Sequence, residues 1–279
     1  MLKLFVIQTR FTLINRNIDR TAWRAGRDGD LNDTIQRLLE NDRLKTRSNI
    51  FFKYTLPAID SATKRGYHII HNILHYDGLP SWLLELLSEA QSKYAWLQTY
   101  SFSYEDNCNN YNIIRDEINK WCETNNVKEK VCFAGIRLDD DDIIGSTYFK
   151  KLNNYILPGF SGFGVSFPKG IAALWCEDRF STYAEMNEPK HAQGIAHINT
   201  YDFESGKMRA TYLLVPGAHK TIDQRVPTIL DSRGSPTYIR TFHNSNDIFI
   251  GRLDVEKEYL NKIFKKSFNS YDIDTFCND

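Results

Sequence analysis

No run in this 279-residue chain approaches the ~20 consecutive apolar residues that a membrane-spanning helix needs. The opening stretch Leu2 to Ile7 is too short for the apolar core of a secretion signal, and Arg10 cuts it off. Charge of one sign is also missing. Lys+Arg and Asp+Glu each number 35, so the formal net charge is zero. No basic excess exists to drive binding along a phosphate backbone, and nucleic acid is not expected as a partner. Cysteine is scarce and unpaired in pattern. Five residues, at 108, 122, 132, 176 and 277, form no C-x-x-C pair. A zinc ribbon or a disulfide scaffold is therefore not expected, and reduced thiols in a cytosol fit best. The chain has neither a G-x-x-x-x-G-K-[ST] phosphate loop nor an H-E-x-x-H metal helix. It shows no internal repeat and no low-complexity linker.

What is present centres on Ile136-Arg137-Leu138-Asp139-Asp140-Asp141-Asp142-Ile143-Ile144. Four consecutive carboxylates stand between apolar shoulders. The left shoulder, Val131 to Ile136, reads as a short buried strand, and the right one leads into a helix. Acidic runs are commonly solvated loops or helix N-termini. Two features argue otherwise here. The run follows a buried strand directly, and in open α/β sheets ligands bind at the carboxyl ends of strands. Four like charges also call for a counter-charge, and a hard divalent ion with oxygen ligands is the natural candidate. Arg137 beside the run can counter the carboxylates or reach a phosphate. Arg10, at the end of the first strand, can do the same.

The rest of the first half alternates strand and helix. Strands are expected at Leu2 to Thr9, Tyr67 to Leu74, Ala95 to Phe102 and Val131 to Ile136. Helical spacing appears in Leu31 to Leu39, with Asp30 as N-cap, in Ser48 to Leu56, where Pro57 should bend or end the helix, in Leu83 to Tyr94 and in Ile113 to Cys122. This pattern predicts an α/β fold with a mostly parallel central sheet covered by helices. A further helix is expected from Tyr148 to Ile156, stopped by Pro158-Gly159. Beyond it, β-like pieces at Ile171 to Cys176, Ile195 to Thr200 and Thr211 to Val215 suggest mixed strands building an acceptor side. The tail from Asp254 carries Val255, Tyr259, Leu260, Ile263 and Phe264 on one face with lysines beside it. A docked terminal helix is the commoner outcome of such a pattern, and peripheral contact with an anionic membrane is the other. The expected organisation is one domain with an α/β half (1–145), an acceptor half (146–253) and a helical tail (254–279). His68, His71 and His75 invite a metal reading, but the stretch is too β-rich to favour it.

A nucleotide-binding half ending in an acidic turn, followed by a mixed half, is the plan of GT-A glycosyltransferases. The chain resembles one bacterial group of them, the rhamnosyltransferase family. The matching stretches are Gln8-Thr9-Arg10-Phe11, Tyr54-Thr55-Leu56-Pro57-Ala58-Ile59, Arg137-Leu138-Asp139-Asp140-Asp141-Asp142 and Phe242-His243-Asn244-Ser245-Asn246-Asp247. They are scattered over residues 4 to 250, and the Arg-Leu-Asp-x-Asp-Asp piece is the most specific. Residues 15 to 47 look longer and more charged than the group leads one to expect, and acceptor choice is expected to lie there.

The resemblance implies a GT-A-like fold and transfer of a sugar from a UDP-, dTDP- or GDP-sugar to a glycan or lipid-linked glycan. It implies Mn²⁺ or Mg²⁺ held by a D-x-D motif, in the cytoplasm or at the inner face of the bacterial membrane. Asp139 and Asp141 take the D-x-D roles, with Asp142 next. Two residues apart, Asp139 and Asp141 would point the same way in an extended segment. Asp139 is also a candidate for the ribose, and Arg10 and Arg137 for the phosphates. His243 is the C-terminal residue expected to return to the metal or pyrophosphate. An inverting enzyme needs a general base near the acceptor hydroxyl. The pair Glu177-Asp178 is the candidate, Asp178 preferred, with Glu185, Glu188 and Asp202 as alternatives. A retaining enzyme needs no such base.

Other classes fit less well. A phosphohydrolase with a nucleophilic Asp wants that acid at the end of the first strand, where Thr9-Arg10 stands. A helix-loop-helix calcium loop starting at Asp139 would need Gly and Glu at its sixth and twelfth positions, where Ile144 and Lys150 stand. A sugar- or nucleotide-binding module that lost turnover is the strongest non-enzymatic rival.

Overall fold

The computed structural model describes residues 1–14, 31–106, 108, 110–128, 130–246 and 253–278. Asp30, the expected helix cap, lies outside them. The first half runs β1 (Lys3–Phe11), α1 (Leu31–Leu38), α2 (Asn41–Ile50), a π-helical turn (Phe51–Thr55), α3 (Leu56–Lys64), β2 (His68–Tyr76), α4 (Ser81–Lys93), β3 (Leu97–Phe102), α5 (Asn110–Thr124) and β4 (Lys130–Leu138). The second half runs β5 (Asp142–Ile144), α6 (Ser146–Leu152), β6 (Gly164–Ser166), β7 (Lys169–Cys176), β8 (Arg179–Asn187), β9 (Ala196–Asp202), β10 (Lys207–Met208), β11 (Thr228–Leu230), β12 (Tyr238–Phe242), α7 (Leu253–Ile263), β13 (Ser267–Phe268) and α8 (Ile273–Asn278).

Strand β1 lies inside the parallel part of the main sheet. It pairs in parallel with β2 on one side and β4 on the other, and β3 extends the parallel set beyond β2. A strand so placed is covered on both faces, which is why its sequence reads as a continuous apolar run. Leu4 and Val6 pack with Ile114, Ile118 and Cys122 of α5. Phe5 and Ile7, on the other face, pack with Ile59 and Ala62 of α3 and with Tyr148, Phe149 and Leu152 of α6. Past β4 the sheet turns mixed: β9 is antiparallel to β4, and β6 and β11 follow. A second sheet has the order β13-β8-β7-β12-β5. The two sheets are joined by the acidic run, which leaves β4 and enters β5 within four residues.

The parallel half and the mixed second half match the expected α/β plan. Several local expectations are corrected. The acidic run leads into strand β5, antiparallel to β12, before helix α6 starts at Ser146. Pro57 does not break its helix. It sits at the start of α3, just after the π-helical turn. That turn's looser hydrogen bonding takes up the donor and the space that a proline denies an α-helix. Residues 211–215 are not a strand. Their backbone lies across β4, and Asn199 Nδ2 donates to the carbonyls of Ala210 and Tyr212, each at 2.9 Å, in place of a ladder. On the tail helix, Tyr259, Leu260, Ile263 and Phe264 pack against Ala172, Ala184, Met186 and Phe242 of the second sheet.

The crossing of 211–215 depends on Gly135 in β4. A Cβ there would meet the Leu213 carbonyl oxygen at 1.7 Å, a backbone atom that cannot rotate away. Gly135→Ala should therefore push this segment off the sheet and cost about 1–3 kcal/mol, the range for overpacking a filled interior. Urea denaturation of the two proteins measures the loss, and an unchanged midpoint would show that the segment is free to shift.

Candidate functional site

Asp139 is the first residue past β4, Asp140 and Asp141 form the turn, and Asp142 opens β5. The Asp142 amide donates to the Asp139 carbonyl at 3.3 Å and closes the turn. Three of the four carboxylates are inside the protein: Asp140 is 1% exposed, Asp141 7% and Asp142 3%. Buried carboxylates are tolerable only when paired or protonated.

The pairing comes from helix α2. Arg43, Arg47, Phe51 and Thr55 recur at every fourth residue and are all buried, a single stripe facing inward. Arg47 Nη2 lies 2.8 Å from Asp140 Oδ1, and its Nη1 donates to Asp141 Oδ2 at 2.5 Å. Thr55 Oγ1 donates to the Asp142 carbonyl at 2.9 Å. From β12, Thr241 Oγ1 donates to the Asp141 carbonyl. The segment after β12 brings His243 Nε2 and Asn246 Nδ2 each to 3.2 Å from Asp141 Oδ2. Asn246 Oδ1 also accepts from the His243 amide at 2.8 Å, and His243 Nδ1 lies 2.8 Å from the Ser245 hydroxyl. Gln193 Nε2 donates to Asp142 Oδ2 at 2.5 Å.

These partners divide the charge unequally. Burial alone would raise Asp141, but Arg47 and the His243 hydrogen bond outweigh it and hold this carboxyl well below the usual range. Burial pushes Asp140 up to about 6 against the pull of Arg47, and the charge on Asp141 adds to the rise. Burial, with Asp141 and Asp139 nearby, raises Asp142 well above its ordinary value despite Gln193. The buried negative charge therefore concentrates on Asp141. Burial lowers His243 although Asp141 opposes this, so its ring is neutral, the form that binds metals.

Asp139 faces a different environment. With Gln8, Arg10, Tyr111 and Arg137 it lines a cleft of about 340 Å³ roofed by residues 211–215. The cleft opens at the carboxyl ends of β1 and β4, where ligands of open α/β sheets sit. Arg137 Nη2 is 3.5 Å from Asp139 Oδ1, a loose contact that a ligand anion can replace. Gln8 Oε1 is buried there without a hydrogen-bond partner among the described residues.

The structure thus brings together two groups of the expected residues. Arg10, Arg137 and Asp139 share the cleft, and Asp141 and His243 share the buried turn. Glu177 and Asp178 belong to neither. They form the two-residue turn between β7 and β8, at φ +51° and +58°, the left-handed pair of a type I′ hairpin. The Glu177 side chain is 80% exposed, and Asp178 Oδ1 accepts from Asn49 Nδ2 at 3.1 Å. Since Leu174 is level with Phe242 in the parallel β7–β12 pair, this turn stands at the same end of the second sheet as His243. Of the three histidines on β2, His71 is a core residue. It is fully buried, 2.9 Å from Thr9 Oγ1, and pushed down to about 3 by burial.

Sequence reasoning missed Arg47, Gln193 and Asn246. The four-residue stripe in α2 was the available signal for Arg47. Asn246 stood within the His-x-x-Asn segment but was given no role.

Whether these donors suit a divalent cation turns on their chemistry. Carboxylate oxygens and a neutral imidazole suit Mn²⁺, and Mg²⁺ is commonly held by one or two carboxylates with phosphates completing its shell. Among the described residues no set of three His, Cys, Asp or Glu converges on a metal-sized point. The residues fit as a partial set, Asp141 with His243 in the turn and Asp139 at the adjoining cleft, that a ligand's phosphates would complete. Asp142, engaged by Gln193, is the least available.

An α/β sheet whose strand-end cleft is lined by two arginines, beside an ion-paired acidic turn, is an arrangement whose chemistry suits an anionic ligand. The chain belongs to the family described as "Putative rhamnosyl transferase", which it matches over residues 6–249. No curated protein matches it in sequence. Among solved structures it is similar to a 4-diphosphocytidyl-2C-methyl-D-erythritol synthase at 7% identity and TM-score 0.37, covering 90% of this chain and 97% of that one. It is similar to an inositol-1-phosphate CTP transferase from T. maritima at 10% and 0.32, covering 95% and 97%. It also overlaps residues 1–349 of S. aureus TarS at 11% and 0.32, covering 86% of this chain and 60% of that one.

The charge division has a pH signature. A folded-state Asp140 near 6 holds a proton that the unfolded chain releases near 4. Its contribution to stability is complete below about pH 4 and is lost as pH rises through 6. Asp140→Asn removes that titration. Urea midpoints at pH 4.5 and 7 should therefore show the variant gaining on wild type as pH rises; a gain by wild type would mean that Arg47 keeps Asp140 ionised throughout.

Proposed function

We propose that this protein is a glycosyltransferase that moves a sugar, rhamnose being the candidate, from a UDP-, dTDP- or GDP-sugar to a growing glycan or lipid-linked glycan. One observation carries the reading: Arg10, Arg137 and Asp139 line one cleft at the carboxyl ends of the parallel strands, directly before the buried acidic turn. Membership of the rhamnosyl transferase family supports it. The two guanidiniums offer bidentate donors to a diphosphate. Asp139 is the one carboxylate among the described residues that line the cleft, placed for a ribose hydroxyl or a phosphate-bound cation. A divalent ion, Mn²⁺ or Mg²⁺, would neutralise charge building on the leaving diphosphate. Asp139, Asp141 and His243 are its proposed protein ligands, with Asp142 in reserve.

In an inverting reaction Asp178 would take the acceptor proton, with Glu177 beside it. Its place at the His243 end of the second sheet supports this, and Asn49 orients its carboxylate. The setting proposed is the bacterial cytoplasm or the inner membrane face, where lipid-linked acceptors are found. A nucleotide- or sugar-binding module without turnover is the second reading, favoured by the acidic turn's internal neutralisation by Arg47 and Gln193.

The test is a thermal-shift panel of UDP, dTDP, GDP and CMP with Mn²⁺, Mg²⁺ or chelator, on wild type and Asp141→Asn. One nucleotide should raise the melting temperature only with metal, by mass action on the folded state, and the variant should lose the effect. No shift with any nucleotide would remove the donor-site reading. Binding without transfer to any sugar acceptor would favour the module. If transfer is seen, Asp178→Asn should lower kcat about 10²–10⁴-fold, the usual contribution of a general base, with little change in donor KM. An unchanged kcat would return the role to the other acidic residues of this half.

A further inference from the structure

We infer that Arg47 is the resident counter-cation of the acidic turn, and that a divalent cation gains Asp141 Oδ2 by driving the Arg47 guanidinium wholly onto Asp140. The inference rests on the reading of the turn as a cation site. Three observations carry it. Arg47 straddles the two carboxylates, at 2.8 Å from Asp140 and 2.5 Å from Asp141. Asp141 Oδ2 already meets Arg47, His243 and Asn246, so that oxygen has no room for a metal while all three stay. A dication bound there would also stand beside a guanidinium in a poorly screened interior. Third, Asp140 Oδ2 is fully buried and has no hydrogen-bond partner among the described residues. An orphaned acceptor of this kind is rare in a native interior and asks for an explanation. Here it is the second half of a landing site. With it, Arg47 can leave Asp141 and form a two-toothed pair with Asp140, the fork geometry that guanidinium and carboxylate share.

The helix carrying Arg47 also carries Asn49, which holds Asp178.

The inference predicts opposite effects from two substitutions at one ion pair. Asp140→Asn removes the landing carboxylate and leaves Arg47 entirely to Asp141, so Mn²⁺ should bind more weakly than to wild type. Adding Arg47→Gln on that background removes the competitor and restores neutrality, so Mn²⁺ should bind more tightly than to wild type. If Arg47 engages Asp141 nine-tenths of the time, the gain is about tenfold. Arg47→Lys keeps the charge but cannot form the two-toothed pair with Asp140, so its Mn²⁺ affinity should fall below wild type. Mn²⁺ alone is titrated into each full-length protein without nucleotide, by calorimetry or by the spin-resonance signal of free Mn²⁺. Circular dichroism checks that each variant is folded. A role confined to holding the fold would weaken binding in every variant. Wild type binding Mn²⁺ with the double variant no tighter would overturn the inference and leave the cation site standing. No Mn²⁺ bound by any of the four proteins would overturn the cation-site reading and this inference together.

Discussion

The ion pair between Arg47 and the carboxylates of Asp140 and Asp141 is the constraint on which the rest of the architecture depends. It lies where the chain steps from the main sheet to the second one, and it ties that step to helix α2. A buried pair of this kind is weak evidence for stability, because desolvation offsets much of the Coulomb attraction and apolar replacements are often equally stable. Losing one partner is the costly event, since it leaves a charge stranded. The pair is better understood as a positional device. It sets the turn's backbone, which in turn puts Asp139 at the cleft and aligns β5 with β12, where His243 and Asn246 can reach back.

Four adjacent aspartates behave as four different groups. Asp139 faces the cleft and Arg137. Asp140 shares a guanidinium and is pushed toward protonation. Asp141 collects Arg47, His243 and Asn246 and keeps the charge. Asp142 is buried against Gln193, where the neutral form is favoured. A strictly alternating strand would have put Asp139 and Asp141 on one face. The turn breaks that alternation, so the first is at the surface and the second is inside. The cleft and the buried turn are thus adjacent compartments served by one short segment.

Much of this was legible in the sequence, for identifiable reasons. Strands buried on both faces announce themselves as apolar runs, so β1, β2 and β4 and their parallel arrangement could be read directly. The need for a counter-charge at the acidic run could be read as well, but its supplier could not. Arg47 is about ninety residues earlier, in a stretch that reads as polar and charged, and nothing local marks a guanidinium as buried. Only the four-residue recurrence of Arg43, Arg47, Phe51 and Thr55 would have suggested it. Short strands such as β6 and β11 carry too few residues for periodicity to register. Residues 211–215 have strand-like composition, but Asn199 takes their carbonyls and Gly135 gives them room. That outcome depends on residues distant in sequence. Glu177-Asp178 looked like an acidic pair and is also a hairpin turn, built without the Gly or Asn that such turns favour.

The helical register makes the stripe work. From Arg43 to Thr55 four side chains point inward at steps of four residues, and the π-helical turn falls within this span. A regular α-helix drifts by about 40° for each such step, since four residues exceed one 3.6-residue turn. Over three steps the stripe would wrap away from the acidic turn. A π-helical turn is wider, with more residues per turn, and winds that drift back. The same turn lets Pro57 follow without breaking the helix. One local irregularity therefore does two things. It keeps Arg47 and Thr55 aimed at neighbouring parts of the same acidic segment, at the Asp140 and Asp141 carboxylates and at the Asp142 carbonyl. It also carries the chain into α3, whose Ile59 and Ala62 pack beneath β1. The acidic turn and strand β1 are thus held by one continuous helical run.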